Sequence, residues 1–252
     1  MNKQDKQFLN IKKIYPNTTF VFRPFTQTTI HDVYIIESLG KKYICRFSDK
    51  FVAQHNLQVS KILTDYKIPV PVVSVYNFGD CWCETYPFIY GKTLHERLIE
   101  GLSGNKLDNI YCQLFEFFDN ISNIPSDKIN SVPISLTSKI IRKTFDLLNP
   151  SDKKLCHTDL QSKNIILNES DDIRALIDLD SVMPGNLSFA KMKTINDAQM
   201  HGYDIHKFET ICTNLDIKKL EKQIKNYNLL SSCYKVVFPE LIRKQLLKIR
   251  VK

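Results

Sequence analysis

A chain of 252 residues, 43% hydrophobic and 25% charged, is long enough to bury a sizeable core and needs neither disulfides nor a structural metal to fold. The net charge of +8 raises a nucleic-acid or anionic-lipid partner. However, the lysines and arginines are scattered and no basic run alternates with aromatics, so a solvated lysine-rich surface is the better reading and no nucleic-acid partner is expected. The seven cysteines show no metal-ligand spacing, Met1–Lys13 is polar, and no apolar stretch approaches the about 20 residues that span a bilayer; no membrane association and a cytoplasmic location are expected, with the cysteines as small buried hydrophobes.

The predicted elements run in chain order as follows. A short helix over 3–14 carries Phe8, Leu9, Ile11 and Ile14 as its apolar positions. The pattern then changes to period two, giving strands at Thr19–Phe25, Asp32–Ser38 and Lys41–Phe47, with a tight turn at Leu39-Gly40. Residues 51–66 have helical spacing, and Ile68-Pro69-Val70-Pro71 ends that helix in extended chain. Val72–Tyr76 and Cys81–Phe88 complete a five-stranded antiparallel sheet. Cys81 and Cys83 flank Trp82, which puts both thiols on one face of the last strand as packing. Gly91 marks a break. Helices are predicted at 93–100, 106–124 and 137–148, two strand-like runs at Ile165–Leu167 and Arg174–Asp178, and further helices at 203–213, 216–227 and 236–250. The fold class is α+β: a β-rich part over 1–88, a connector near 86–92, and a mostly helical part over 89–252. Two such parts create a cleft, the usual place for a small ligand.

The chemistry concentrates in His157-Thr158-Asp159-Leu160-Gln161-Ser162-Lys163-Asn164, an H-x-D-x-x-x-x-N run, followed downstream by Ile177-Asp178-Leu179-Asp180. Phosphoryl transfer needs a carboxylate to orient the attacking hydroxyl and oxygen ligands for the Mg²⁺ that neutralises the phosphates. Asp159 suits the first role, Asn164 and Asp178 the second. Asn164 opens one apolar run and Asp178 closes the other, so the pattern predicts a hairpin with a metal-ligand candidate at each end. The plainer alternative, Asp159 and Asn164 as turn caps, leaves that arrangement unexplained. His157 reads as a brace that holds the loop through backbone hydrogen bonds, with no part in proton transfer.

This segment resembles the aminoglycoside-phosphotransferase and choline-kinase superfamily. Ile177-Asp178-Leu179-Asp180-Ser181-Val182-Met183-Pro184-Gly185 is similar to a run in sugar kinases of the N-acetylhexosamine 1-kinase type. Ile30-His31-Asp32-Val33-Tyr34, Lys42–Phe47 and Asn56–Leu63 are similar to the nucleotide loop exit, third strand and following helix of that branch. The resemblance implies a two-lobed protein-kinase-like fold, with 1–88 as the nucleotide-binding lobe and 89–252 as the catalytic and acceptor-binding lobe. It implies ATP and Mg²⁺ as cofactors. It makes Thr26–Asp32 the loop over the phosphates, which is free of glycine and relies on groups such as the Thr28 and Thr29 hydroxyls. It puts Arg46 at the α- and β-phosphates, and the connector Tyr86, Pro87 and Phe88 at the adenine. The glutamate that usually pairs with the strand cation has Asn56 or Gln58 near its place, which implies a neutral partner for Arg46. Asp180 would support the metal or a cation, and Ser181–Gly185 would form the counterpart of an activation segment.

Two departures bear on the acceptor. Asn186-Leu187-Ser188-Phe189 stands where the similar branch has an acidic motif, and the helical part is short. The expected activity is therefore transfer of the ATP γ-phosphate to a hydroxyl of a sugar or related small alcohol. Lysines at 191, 193, 207, 218, 219, 222 and 225 favour a neutral or anionic acceptor. An aminoglycoside, choline or ethanolamine acceptor is the alternative on the same fold. A kinase-like nucleotide-binding module without turnover is the alternative of another class, motivated by the glycine-free loop and the missing helix glutamate.

Overall fold

The computed structural model describes residues 2–22, 32–129, 153–211, 218 and 221–229. The loop from Thr26 to His31, and the helices predicted at 137–148 and 236–250, lie outside the described residues. The helix predicted at 216–227 is described in part, with residues 221–229 helical.

Helix α1 (Lys3–Ile14) begins with a reciprocal cap: the Asn2 side chain accepts from the Asp5 amide at 2.9 Å, and the Asp5 carboxylate accepts from the Asn2 amide at 3.3 Å. Its buried face carries Gln7, Asn10 and Ile11. Gln7 docks it on the sheet, accepting from the Tyr34 hydroxyl at 2.8 Å and donating to Asp32 at 2.9 Å. The sheet contains β1 (Thr18–Phe22), β2 (Asp32–Ser38), β3 (Lys41–Ser48), β4 (Ser74–Asn77) and β5 (Trp82–Pro87) in the order β1-β2-β3-β5-β4, every pair antiparallel. Leu39 and Gly40 both have positive φ, 52° and 71°, the combination that a two-residue hairpin turn requires. Period-two alternation then sorts the faces. Tyr34, Ile36, Cys45, Phe47 and Cys83 form an apolar cluster with Ile11 of α1, and Cys81 packs against it. Arg46, lying between Cys45 and Phe47, is directed to the opposite face.

Helix α2 (Lys50–Asp65) starts at Asp49, whose side chain accepts from the Val52 amide at 3.0 Å. Its inner residues Val59 and Leu63, with Ile68 and Val73, join a second and larger cluster that continues through the helical part. That part contains a short β6 (Lys92–Thr93), α3 (Leu94–Ile99), α4 (Gly104–Ser122), β7 (Lys153–His157), β8 (Ile165–Leu167), β9 (Ile173–Leu176), β10 (Val182–Asn186), α5 (Leu187–Met200) and α6 (Phe208–Ile211). Helix α4 buries Leu107, Ile110, Tyr111, Leu114, Phe115, Phe118 and Ile121, the three-and-four spacing of a helix with one apolar stripe. β8 pairs with β9 as the predicted hairpin and also with β6; β7 pairs with β10.

Two predictions need correction. Helix formation after the hairpin begins at Leu187, not near 203. Over 203–213 the described chain has a 3-10 turn at Ile205–Lys207 and a single short helix, α6. The reason is burial: α5 has Phe189, Ala190, Met192, Thr194, Ile195, Asn196, Asp197 and Ala198 all buried, so it shows no polar face against which an apolar stripe stands out. The strand predicted to end at Asp178 ends at Leu176, and Asp178 sits in a left-handed bend. Ser181–Gly185 belongs mainly to β10 and is paired with β7.

Gly91 has φ +145°, and a Cβ there would overlap the Leu167 carbonyl oxygen across the β6–β8 junction. Gly91→Ala is expected to destabilise the protein by about 2 kcal/mol or more, combining backbone strain with the clash. Urea unfolding of the two proteins checks this.

Candidate active site

β7 delivers His157 into the interior, and the chain then turns through residues 158–164. The buried His157 ring donates from Nε2 to the Ile177 carbonyl at 2.9 Å and accepts at Nδ1 from the Asp159 amide at 3.3 Å. These two contacts define one neutral tautomer, and burial holds the ring below its ordinary pKa. Thr158 fastens the loop to the next segment, donating from both its amide and its hydroxyl to the Ser181 carbonyl, at 2.8 and 2.9 Å. Asn164 donates its side-chain N–H to the Asp159 carbonyl at 2.8 Å and approaches Asp159 Oδ2 at 3.4 Å. Its backbone carbonyl accepts from the Ile177 amide at 3.0 Å. Asn164 therefore stands between Asp159 and the bend that presents Asp178.

Asp178 has φ 67° and ψ 54°, a conformation that aspartate visits more readily than most residues but that carries strain. Ser181 closes the bend, its amide donating to the Asp178 carbonyl at 3.0 Å and its hydroxyl to Asp178 Oδ2 at 3.3 Å. Burial raises the Asp178 carboxyl, and its neighbour Asp180 raises it further. Burial pushes Asp180 the same way, but the Arg46 guanidinium, 2.8 Å from Asp180 Oδ2, outweighs it and holds that carboxyl low. Burial would likewise raise Asp159. The Lys193 ammonium, which donates to Asp159 Oδ1, reverses the sign and keeps the carboxyl below its usual range.

Arg46 corrects one expectation. Its partner across the sheet is an acid, Glu84, which is in register with it on β5. Arg46 Nη1 lies 3.9 Å from Glu84 Oε2. Glu84 is 1% exposed, and its two oxygens accept from Asn56 at 2.7 Å and from the Ser48 hydroxyl at 2.6 Å. Asn56 thus serves the glutamate, not the arginine, and the acid that the helix lacks comes from the neighbouring strand. Gln58 is turned away, donating to the Lys128 carbonyl at 2.6 Å. A small cavity between sheet and catalytic segment is lined by Arg46, Asn56, Glu84, Tyr86 and Asp178 among others. Asn56, 2% exposed, has no hydrogen-bond partner for its Oδ1 among the described residues.

The structure therefore brings Asp159, Asn164, Asp178, Asp180, His157 and Arg46 together, with Tyr86 at the edge of the group. Phe88 lies beyond it on the connector, its amide donating to the Lys42 carbonyl at 2.9 Å and its ring 5.1 Å from that of Tyr90. Thr28 and Thr29 lie outside the described residues. Two residues of the site escaped the sequence reading. Glu84 is an acid in the middle of an apolar strand, opposite an arginine in the middle of another; strand register is what reveals the match. Lys193 looked like one lysine among many. The surplus of lysines is itself partly neutralised, since Lys191 pairs with Asp119, Lys193 with Asp159 and Lys207 with Asp108.

The residues fit Mg²⁺. Asn164 uses its amide N–H on Asp159, which turns the amide oxygen the other way, and the crowding that raises Asp178 is what a divalent cation relieves. Among the described residues no group of three or more His, Cys, Asp or Glu forms a preformed cage. An open donor set of few protein oxygens completed by phosphates is the usual Mg²⁺ arrangement.

No protein-family model matches the sequence, and no curated protein sequence matches it. Solved structures do match by shape. The GDP complex of an aminoglycoside 2′-phosphotransferase superposes with a TM-score of 0.71 at 14% identity, covering 95% of this chain and 93% of that one. The fold is that of the aminoglycoside phosphotransferases. A GDP and kanamycin complex from the same group gives 0.69 at 14% identity, covering 97% of each chain. Spectinomycin phosphotransferase with ADP and spectinomycin gives 0.65 at 14% identity, covering 90% of this chain and 85% of that one.

Two outcomes follow for stability. Glu84→Ala leaves Arg46 short of one buried counter-charge and strands the Asn56 donor, so a loss of about 3–5 kcal/mol is expected by denaturant unfolding. His157, whose folded pKa is depressed, contributes stability above the unfolded value of about 6.5 and loses it as pH falls through and below that value. A His157→Gln variant, once corrected for its own baseline, is expected to show a flatter decline in Tm between pH 7 and pH 5.

Proposed function

We propose that this protein is an ATP- and Mg²⁺-dependent small-molecule kinase that transfers the γ-phosphate to a hydroxyl of a sugar or related small alcohol. The observation that carries the reading is the convergence of Asp159, Asn164 and Asp178 on one loop and one bend, facing Arg46 across the cleft through Asp180. In this reading residues 1–88 bind the nucleotide and 89–252 carry the catalytic loop and the acceptor. Arg46 steadies the α- and β-phosphates. The backbone near Tyr86 and Phe88 meets the adenine, and the Thr28 and Thr29 hydroxyls the phosphate oxygens. Asn164 and Asp178 hold the metal, which when bound draws charge from the phosphates. Asp159 orients the acceptor hydroxyl and takes its proton, while His157 and Asp180 keep the loop and the cation in place. Most of the rate enhancement comes from placement and charge neutralisation.

The matching structures hold GDP or ADP, and acceptors such as kanamycin and spectinomycin, which supports a nucleotide donor and a small-molecule acceptor. They favour an aminoglycoside acceptor as a second reading. The similarity of Ile177–Gly185 to the N-acetylhexosamine kinases supports the sugar, although part of that run also has a packing role. Gly185 lies under Cys156 and Thr158, where a Cβ would stand 3.3 Å from the Cys156 sulfur and 3.4 Å from a Thr158 methyl. A binding module without turnover loses one of its two supports, because Glu84 supplies the acid that the helix lacks. We place the protein in the cytoplasm: the described cysteines are free thiols, and no described helix is long and apolar enough to cross a membrane.

Asp159→Ala is expected to abolish phosphoryl transfer while nucleotide affinity stays within about twofold, because the main bond from Asn164 goes to the Asp159 backbone carbonyl, which alanine keeps. Asp178→Ala is expected to remove Mg²⁺-dependent nucleotide binding. Nucleotide titration calorimetry and a nucleotide-consumption screen over neutral sugars, sugar acids, choline and aminoglycosides test both and separate the acceptor classes. Full turnover in Asp159→Ala overturns the assignment.

A further inference from the structure

Lys193 is built into the site by features that the proposed mechanism does not use. It projects from α5 and donates to Asp159 Oδ1, whereas Asn164 approaches the other carboxylate oxygen. Asp159 thus lies between a metal-side residue and an ammonium on its far side. The lysine side chain is 14% exposed, unusual for a residue type that is almost never buried unless paired.

Helix α5 does not need this ion pair to stay attached to the catalytic loop. The Thr194 hydroxyl donates to the Leu160 carbonyl at 2.6 Å, and the Asp197 carboxylate accepts from the Ser162 amide at 2.7 Å. Positions 193, 194 and 197 share one face of the helix. The loop is also tied to β10 through Thr158 and to the Asp178 bend through His157. Taking a further charge pair out of water is costly and a poor way to add stability. The ammonium is, however, well placed for charge. Asn164 links Asp159 to the bend that carries Asp178 and Asp180, and Arg46 is committed to Asp180 and Glu84 on the nucleotide side. On the Asp159 side, Lys193 is the cation in hydrogen-bond contact among the described residues.

We propose, resting on the kinase reading, that Lys193 is a further catalytic residue: its ammonium bridges Asp159 and the phosphoryl group in flight. An acceptor oxygen that hydrogen-bonds Asp159 sits within one more hydrogen bond of Lys193. As the acceptor oxygen forms its bond to the γ-phosphorus, the bond from that phosphorus to the β–γ bridging oxygen breaks. The hydroxyl proton passes to the Asp159 carboxylate, and the nucleoside diphosphate leaves with the bridging oxygen. The charge spread over the three equatorial oxygens during this exchange meets Lys193 on the acceptor side. The lysine also fixes the orientation of the Asp159 carboxylate through its contact with Oδ1.

The test measures binding of MgADP alone and of MgADP with aluminium fluoride, whose planar form mimics the phosphoryl group in flight, for the full chain and for Lys193→Met, Lys193→Arg and Lys191→Met. The wild type is expected to bind the fluoride complex at least tenfold more tightly than MgADP. Lys193→Met is expected to keep MgADP affinity and lose about tenfold or more of that tightening, with Lys193→Arg recovering part of it. Lys191→Met removes the same charge from the same helix and is expected to keep all of it. Full tightening in Lys193→Met, or an equal loss in Lys191→Met, overturns the proposal and makes Lys193 a strut. MgADP binding by the wild type without any tightening overturns it while leaving the nucleotide site intact. Failure of the wild type to bind MgADP strikes the kinase reading itself and this proposal with it. Melting temperatures of the variants separate unfolding from loss of the contact.

Discussion

Four carboxylates, Asp159, Asp178, Asp180 and Glu84, are held close together in a partly dry interior, and the rest of the site follows from how that charge is tolerated. Arg46 reaches two of them and Lys193 a third. Asp178 feels Arg46 only at longer range, and burial together with Asp180 raises its carboxyl. The imbalance falls on the residue proposed above to receive the metal. The same constraint explains why so much of the surrounding structure is polar yet buried. Asn56 and Ser48 serve Glu84, and Thr158, His157 and Asn164 serve the loop, because every charge and backbone group taken from water here needs a partner.

Much of this was legible in the sequence. Period-two alternation and the Leu39-Gly40 turn marked β2 and β3, and the Asp159–Asn164 spacing with its flanking apolar runs marked the loop and hairpin, but not the bend at Asp178. What escaped was of two kinds. Helix α5 is buried on most sides, so its residues mix Lys, Thr, Asn and Asp with apolar ones and carry no periodic stripe. Glu84 and Lys193 are ordinary residue types whose meaning comes from a partner far away in sequence, Arg46 and Asp159. Pairing of that kind is a property of strand register and helix docking, which local pattern does not encode. The lysine surplus has the same character: several of those charges are answered from α4 or from Asp159.

Packing and chemistry are not separate layers here. The apolar cluster that contains Leu160, Ile165, Leu176, Leu179 and Val182 also contains Ala190 and Ile195 of α5. The hydrophobic contact that seats the helix therefore also sets where Lys193 and Asp197 meet the loop. A cavity opened in this cluster moves the loop relative to its cations, so core variants here are functional variants as well.

Arg46 and Glu84 sit on adjacent strands of one rigid sheet, in register. Where a strand cation is paired with an acid on a mobile helix, swinging that helix away disconnects the pair, and the helix becomes a control lever. An ion pair whose halves are joined by sheet hydrogen bonds has no such joint. The cation side of this cleft is therefore assembled with the sheet itself, and α2 is not the element that holds its acid.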